Sequence, residues 1–443
     1  MKTPICDFVA RYAESGAVRL HMPGHKGKGF LGIEHLDITE ISGADSLYEA
    51  SGIIAESEQN ASAIFGADTF YSTEGSSQCI RAMLLLAVKY AKSRGEKPSV
   101  LAGRNAHKTF LSAASLLDFE VDWIYPRADE SYLSCTPSAE EIDELLKIKN
   151  PTALYLTSPD YLGNVADIAP IAEVCRKNGV LLLVDNAHGA YLKFLPQSRH
   201  PIDLGADICC DSAHKTLPVL GGGAYLHISK SAPAMLKDNA RDALALFGST
   251  SPSYLVLQSL DAANAYLAGD YRTELEAFLR LMQKLREDLK KAGFSLISNE
   301  PLKLTISAKP YGYTGYELAD ALYENNIVCE FCDPDFLTLM FTPQTGTEGI
   351  ERVRQVLCAL QRKSCVFEKT PKSAAAKRIM TIREAMLAPC EEISAEQSVG
   401  RVIASACVGC PPAVPIVVCG EQIDEAAKEQ FLYYGIEKIK VIK

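Results

Sequence analysis

The residues best suited to covalent chemistry are Ser212-Ala213-His214-Lys215-Thr216, which follow a strand-like run and precede Gly221-Gly222-Gly223. A lysine at the end of a buried strand is costly unless it is used. Its amine can form a Schiff base with a carbonyl cofactor, and Ser212 and His214 are then placed to hydrogen-bond an anionic group. Taken alone, a lysine after a strand is more often a solvated surface residue. Thirty residues upstream, however, the apolar run Val180-Leu181-Leu182-Leu183-Val184 ends in Asp185, followed by Asn186-Ala187-His188-Gly189-Ala190. An aspartate at the carboxyl end of a buried parallel strand sits where open α/β sheets bind ligands. By itself Asp185 is equally a turn or helix cap. Paired with a Schiff-base lysine, it can hold a pyridinium nitrogen protonated and so keep a ring cofactor an electron sink.

Two further groups belong with these. Gly75-Ser76-Ser77 opens a helix after a short strand at Phe70 to Ser72, so free amides and hydroxyls converge where a phosphate can sit. Plain capping would use the same residues. His107 starts another helix after a strand at Ser99 to Ala102; it can lie flat on an aromatic cofactor, or serve as a solvated cap.

The elements that must position these residues form an alternating pattern. Strands are expected at Ser99 to Ala102, Ala153 to Thr157, Val180 to Asp185, Asp207 to Asp211 and Ala224 to Ile228, with helices between them at Ser77 to Tyr90 and Asp167 to Asn178. The second helix has Pro170 in its first turn and Gly179 just past its end. Alternation of this kind predicts an α/β fold with a large, mostly parallel sheet covered by helices. After residue 255 a Leu- and Ala-rich stretch to Ala292 reads as one long helix. Strand-like runs at Leu302 to Ser307, Ile327 to Phe331 and Leu337 to Phe341 then mix with helices at Gly315 to Glu324 and Glu348 to Gln361, the pattern of a smaller α+β domain. Lys369, Lys372, Lys377 and Arg378 around Pro371 read as a linker. The expected division is 1–50 as an N-terminal segment contributing to the active site, 51–255 as the large domain, 256–365 as the small α+β domain and 366–443 as a C-terminal domain.

Composition narrows the function classes. The 443 residues are 47% hydrophobic and 23% charged, with 45 basic against 55 acidic side chains and a net charge of −10. Broad nucleic-acid or anionic-membrane binding would need a positive footprint, so neither is expected. No run of about 18 apolar residues is present, and Met1 to Ala10 lacks a long apolar core, which predicts a cytoplasmic protein. Fourteen cysteines include two pairs with two-residue spacing, Cys329/Cys332 and Cys407/Cys410. If Ile327 to Phe331 is a strand, positions i and i+3 face opposite ways and one metal cannot easily take both sulfurs. Reduced thiols, no disulfides and no metal are therefore expected.

The sequence resembles the ornithine/lysine/arginine decarboxylase family of fold-type I pyridoxal-phosphate enzymes. The matching stretches are His21-Met22-Pro23-Gly24-His25-Lys26-Gly27, Asp37-Ile38-Thr39-Glu40, Gly43-Ala44-Asp45-Ser46-Leu47, Asn105-Ala106-His107-Lys108 and Thr157-Ser158-Pro159. They continue through Asp185 to Ala190, Ser212 to Leu217, Thr250-Ser251-Pro252-Ser253-Tyr254, Arg383-Glu384-Ala385, Gly400-Arg401 and Pro411-Pro412 with Pro415.

The resemblance implies an aminotransferase-like large domain, pyridoxal 5'-phosphate as cofactor, and decarboxylation of arginine, lysine or ornithine, the chemistry that feeds polyamine biosynthesis. It makes Lys215 the Schiff-base lysine, Asp185 the ring-nitrogen partner and His107 the ring-stacking residue. Ser76, Ser77, Ser212 and His214 would hold the phosphate, and His188 would lie beside the ring. It also implies a homodimer with shared active sites, in which Thr250 or Ser251 reaches the neighbouring subunit's phosphate. Larger members carry an N-terminal wing, which the early His21 motif leaves no room for, so the large ring assemblies are not implied. Departures fall on loops: Glu74 for the usual Asn, Asp160 for Thr, Cys410 for Tyr and Ala413 for Gly. Asp160 and Glu74 are therefore candidates for binding the substrate's distal cation. An aminotransferase or other lyase on the same fold, and a non-catalytic protein that keeps the cofactor pocket, remain the alternatives.

Overall fold

The computed structural model describes residues 1–127, 130–371, 376–405 and 412–443. Seven strands form the main sheet: β1 Asp68–Ser72, β2 Ser99–Gly103, β3 Glu120–Ile124, β4 Ala153–Thr157, β5 Leu181–Asp185, β6 Ile208–Asp211 and β7 Ala224–Ile228. Their order is β1-β7-β6-β5-β4-β2-β3. β5 and β6 are parallel, as are β2 and β3, whereas β7 runs antiparallel to both β6 and β1. The expected α/β class with a large, mostly parallel sheet is what the chain adopts. β5 is buried at every position, which explains its unbroken run of Leu and Val: a strand covered on both faces has no solvent side to make polar.

By its contacts the chain divides into two compact units. The first comprises Met1–Pro98, Leu146–Tyr155 and Ile168–Glu274. It contains helices α1 (Pro4–Glu14), α2 (Ile53–Phe65) and α3 (Gly75–Ser93) and the strand ends that carry Asp185 and Ser212. The second comprises Ser99–Leu145, Leu156–Asp167 and Leu275–Lys443. It holds helix α4 (Lys108–Leu117), a four-stranded antiparallel sheet built from β8 (Ser295–Leu296), β9 (Lys303–Ser307), β10 (Phe331–Cys332) and β11 (Phe336–Met340), and the antiparallel pair β12 (Cys390–Ser394) and β13 (Lys438–Ile442). No helix among the described residues is long and apolar enough to cross a membrane.

Three expectations need correction. The long helix after residue 255 is two helices, Tyr254–Ala268 and Tyr271–Lys291. The break falls at Gly269, whose backbone (φ −104°, ψ −111°) no helix accommodates. Ile327 to Glu330 lies outside any strand, and β10 begins only at Phe331. The alternation argument for Cys329 and Cys332 therefore does not apply; both are free thiols, and the neighbouring Cys332 pulls the Cys329 thiol down to about 7. Cys407, Cys410, Pro411 and Lys372 lie outside the described residues.

Candidate active site

Within the first unit, Asp185 closes β5 and is 2% exposed. Its carboxylate accepts the Tyr155 hydroxyl at 3.0 Å on one oxygen and the Ala187 N–H at 3.2 Å on the other. Burial raises this carboxyl above the usual range, against the lowering effects of Lys215 and of these donors. A protonated ring nitrogen beside this carboxylate would favour its charged form against burial. Tyr155 was not legible as a site residue, because an aromatic inside an apolar strand reads as core.

Lys215 sits in the short helix Ala213–Thr216 that follows β6, and its Nζ lies 2.9 Å from His188 Nε2. Since Asp185 and His188 share one turn, the β5 end brings its carboxylate and its imidazole to the lysine together. His214 is held by both its N–H groups: the backbone N and Nδ1 donate to Gly223 O at 3.1 and 2.9 Å. Burial lowers its imidazole below the ordinary value, an effect that a bound phosphate dianion would oppose.

The candidate phosphate cradle draws on two strand ends. Ser212 Oγ donates to Ser76 Oγ at 2.7 Å, at the N-terminus of the 19-residue helix α3, where the helix dipole favours an anion. Gly222 fixes how closely the β7 entry approaches. Its carbonyl accepts the Gly75 N–H at 2.7 Å, its φ is +97°, and a Cβ there would lie 2.6 Å from Thr73 O. Only glycine satisfies both demands. Ser77 stands on the first turn of the same helix, partly buried.

Other expected residues behave differently. His107 is the N-cap of α4 in the second unit, its Nδ1 accepting the Thr109 N–H at 3.2 Å. Thr250 and Ser251 are exposed, and neither bonds to Ser76, Ser212 or His214 among the described residues. Glu74 is also exposed, but its Oε1 accepts the Ser249 N–H at 2.5 Å, so it ties down the loop that carries those hydroxyls. Asp160 is a correction. It is 1% exposed, and its carboxylate takes the Ser134 hydroxyl at 2.5 Å and both the backbone and side-chain N–H of Asn164 at 2.8 and 2.9 Å. A carboxylate enclosed by three donors of its own surroundings organises a loop and does not present itself to a cationic substrate. Ala413 occupies the left-handed region at φ +56°, where the glycine of similar sequences would be unstrained, and its carbonyl accepts the Lys108 N–H at 2.8 Å.

The donor set fits pyridoxal phosphate: an amine with an imidazole against it, a buried carboxylate beside them, and hydroxyls at a helix N-terminus. Comparisons with known proteins agree. The profile of the Orn/Lys/Arg decarboxylase major domain matches residues 3–299, and that of the family's C-terminal domain matches residues 360–438. An arginine decarboxylase of Halalkalibacterium halodurans is 31% identical, covering 96% of this chain and 92% of that one. One from Bacillus subtilis is 30% identical over the same shares. Among solved structures, lysine decarboxylase A from Pseudomonas aeruginosa superposes with a TM-score of 0.81 at 18% identity, covering 99% of this chain and 80% of that one. The lysine decarboxylase of Francisella novicida gives 0.79 at 18% identity, covering 100% and 81%. At such identities the superpositions establish the fold. With the profiles covering most of the chain, this chain belongs to the ornithine/lysine/arginine decarboxylase family and is a pyridoxal-phosphate-dependent amino-acid decarboxylase.

Proposed function

We propose that the substrate is a basic amino acid, arginine ahead of lysine and ornithine, converted to its amine and carbon dioxide in the cytoplasm. The observation that carries this reading is Lys215 Nζ against His188 Nε2, on the same turn as the buried Asp185, in a chain about 30% identical to two arginine decarboxylases. When bound, pyridoxal phosphate supplies a carbonyl that condenses with amines and a ring that accepts the electron pair left when the carboxylate departs.

The protein's part is positioning and proton handling. Lys215 would offer its amine to the cofactor's carbonyl. Asp185, oriented by Tyr155 and Ala187, would keep a ring nitrogen protonated. Ser76, Ser77, Ser212 and His214 would hold the phosphate at the start of α3. His188 stands within hydrogen-bond reach of Lys215 and is placed to help return a proton to the α-carbon; the family resemblance would give His107 the role of ring-stacking residue. Carbon dioxide release measured across arginine, lysine, ornithine and neutral amino acids is expected to be largest for one basic amino acid, with the matching amine as product and no keto-acid requirement. Transamination without carbon dioxide would refute the decarboxylase assignment, and turnover confined to a neutral amino acid would refute the substrate class.

The same reading includes a homodimer with shared sites and a C-terminal domain starting near residue 366. Val18, Leu20, Phe30 and Leu31 are each at least 80% exposed, and apolar side chains concentrated in one segment favour an interface. The Gly248–Ser253 loop, held by Glu74, exposes Thr250 and Ser251, whose hydroxyls are available to a neighbour's phosphate. Lys215→Ala and the double change Thr250→Ala/Ser251→Ala are each expected to be weak alone. Refolded together, they are expected to exceed the summed parents, because one site of a hybrid dimer receives both intact halves. No gain despite verified subunit exchange would place the whole site within one chain.

A further inference from the structure

Behind the strand ends that carry Asp185 and Lys215 lies a cluster that the mechanism does not use. Side chains alternate along β5 and β6, so Asp185 and its neighbour Cys210 share one face, with Cys210 Sγ 3.7 Å from Asp185 Oδ1. Asn186 and Asp211 meet on the reverse face, where Asn186 Nδ2 donates to Asp211 Oδ1 at 2.6 Å. The other oxygen of Asp211 receives two imidazoles: His200 Nε2 at 3.0 Å and His227 Nε2 at 3.1 Å. His227 Nδ1 pairs with Thr69 Oγ1 at 2.9 Å, which extends the chain of bonds to β1. All three titratable side chains have 0% exposure, and the ring of Phe65 lies against His227 at 4.4 Å between centroids.

Three donors on one buried carboxylate satisfy it as an anion. Burial alone would raise the Asp211 carboxyl, but the charges and hydrogen bonds of His200 and His227 hold it well below the usual range. The network thus joins β1, β5, β6, β7 and the His200 turn at one point. That point is one residue behind Asp185 through Asn186 and one residue ahead of Ser212 through Asp211.

We propose that His200, Asp211 and His227 are positioning residues for the cofactor site, locking the Asp185–Asn186 turn and the β6 exit so that Asp185 and Lys215 meet the cofactor ring in fixed register. The proposal rests on Asp185 and Lys215 being the cofactor residues. Buried polar networks specify a geometry through the members that are bonded, here the contacts of Asn186, His200 and His227 to Asp211 and of His227 to Thr69; His200 Nδ1 and Asn186 Oδ1 are buried without a partner among the described residues. The same atoms, with Cys209 Sγ 3.9 Å from His200 Nε2, also form a candidate ligand set for a metal. Hydrogen-bond lengths from both imidazoles to a single oxygen favour the network.

The test uses the cofactor-loaded protein without substrate, then with it. Asn186→Ala removes only the link to the turn, and Asp211→Asn removes the central anion. Both are expected to fold and take up cofactor, with a shifted pH titration of the visible absorbance. Expected kcat falls about ten- to a hundredfold, the range seen when residues behind a site are altered, while KM changes by less than about twofold. His200→Gln, which keeps an N–H near the Nε2 position, is expected to behave as wild type, and His200→Leu to follow Asp211→Asn. A wild-type titration and kcat in Asn186→Ala would overturn the proposal, and this variant decides alone if Asp211→Asn fails to fold. Stoichiometric metal in the wild type that is lost in Asp211→Asn would also overturn it. Failure of the underlying reading shows separately, as wild-type protein with no borohydride-bleached absorbance.

Discussion

Lys215→Ala is expected to leave a folded protein with carbon dioxide release at background and no visible absorbance after incubation with pyridoxal phosphate. The reason is local. The Lys215 amine is 2.9 Å from His188 Nε2, and no other lysine lies between the Asp185 turn and the Ser212 start except Lys193, which is paired with Asp203 at 2.6 Å. On the proposed reading, an alanine removes the nucleophile that would attach the cofactor, while Ser76, Ser212 and His214 would remain to bind its phosphate. Phosphate-dependent binding should therefore survive the loss of the absorbance. Retained decarboxylation in this variant would sink the assignment of Lys215.

Asp185→Asn is expected to slow turnover roughly 10- to 150-fold, because a charge-assisted hydrogen bond of about 1.5–3 kcal/mol is lost where the electron sink needs it. Asparagine still accepts from Tyr155, so the fold should persist. A stability measurement separates the electrostatic role from a simple cap. Burial raises the carboxyl of Asp185 in the folded chain. Without cofactor, the stability linked to this group is therefore greatest below the unfolded carboxylate range and is lost as pH rises through the raised folded value. A cationic ring nitrogen relieves that loss. Near neutral pH, cofactor should raise the melting temperature more in the wild type than in Asp185→Asn. Equal shifts and equal rates would reduce Asp185 to a turn cap.

Much of the first unit could be read from sequence because its signals are strong and local. The run 181–184 has no polar residue, so its strand and the carboxyl end at Asp185 follow directly, and Gly75-Ser76-Ser77 marks the start of α3. β3 was passed over because Glu120 and Asp122 interrupt its apolar residues. Asp160 was misread for a different reason: an acid in a loop looks solvated until Ser134 and Asn164 are seen to enclose it. Tyr155, His200 and His227 carried no signal at all, since their partners lie 30, 11 and 16 residues away and only the sheet brings them together.

The placement of β1 has a consequence for the order in which the protein matures. β5 and β6, which hold Asp185 and lead to Lys215, are neighbours in sequence as well as in the sheet, so they can pair early. β1 must find β7 across more than 150 residues, with Ser72 opposite Ala224, and only then does Ser76 reach Ser212. Long-range pairings of this kind close slowly. A newly made chain would thus possess its reactive lysine before it possesses its phosphate cradle, and uptake of cofactor would mark the completion of the sheet.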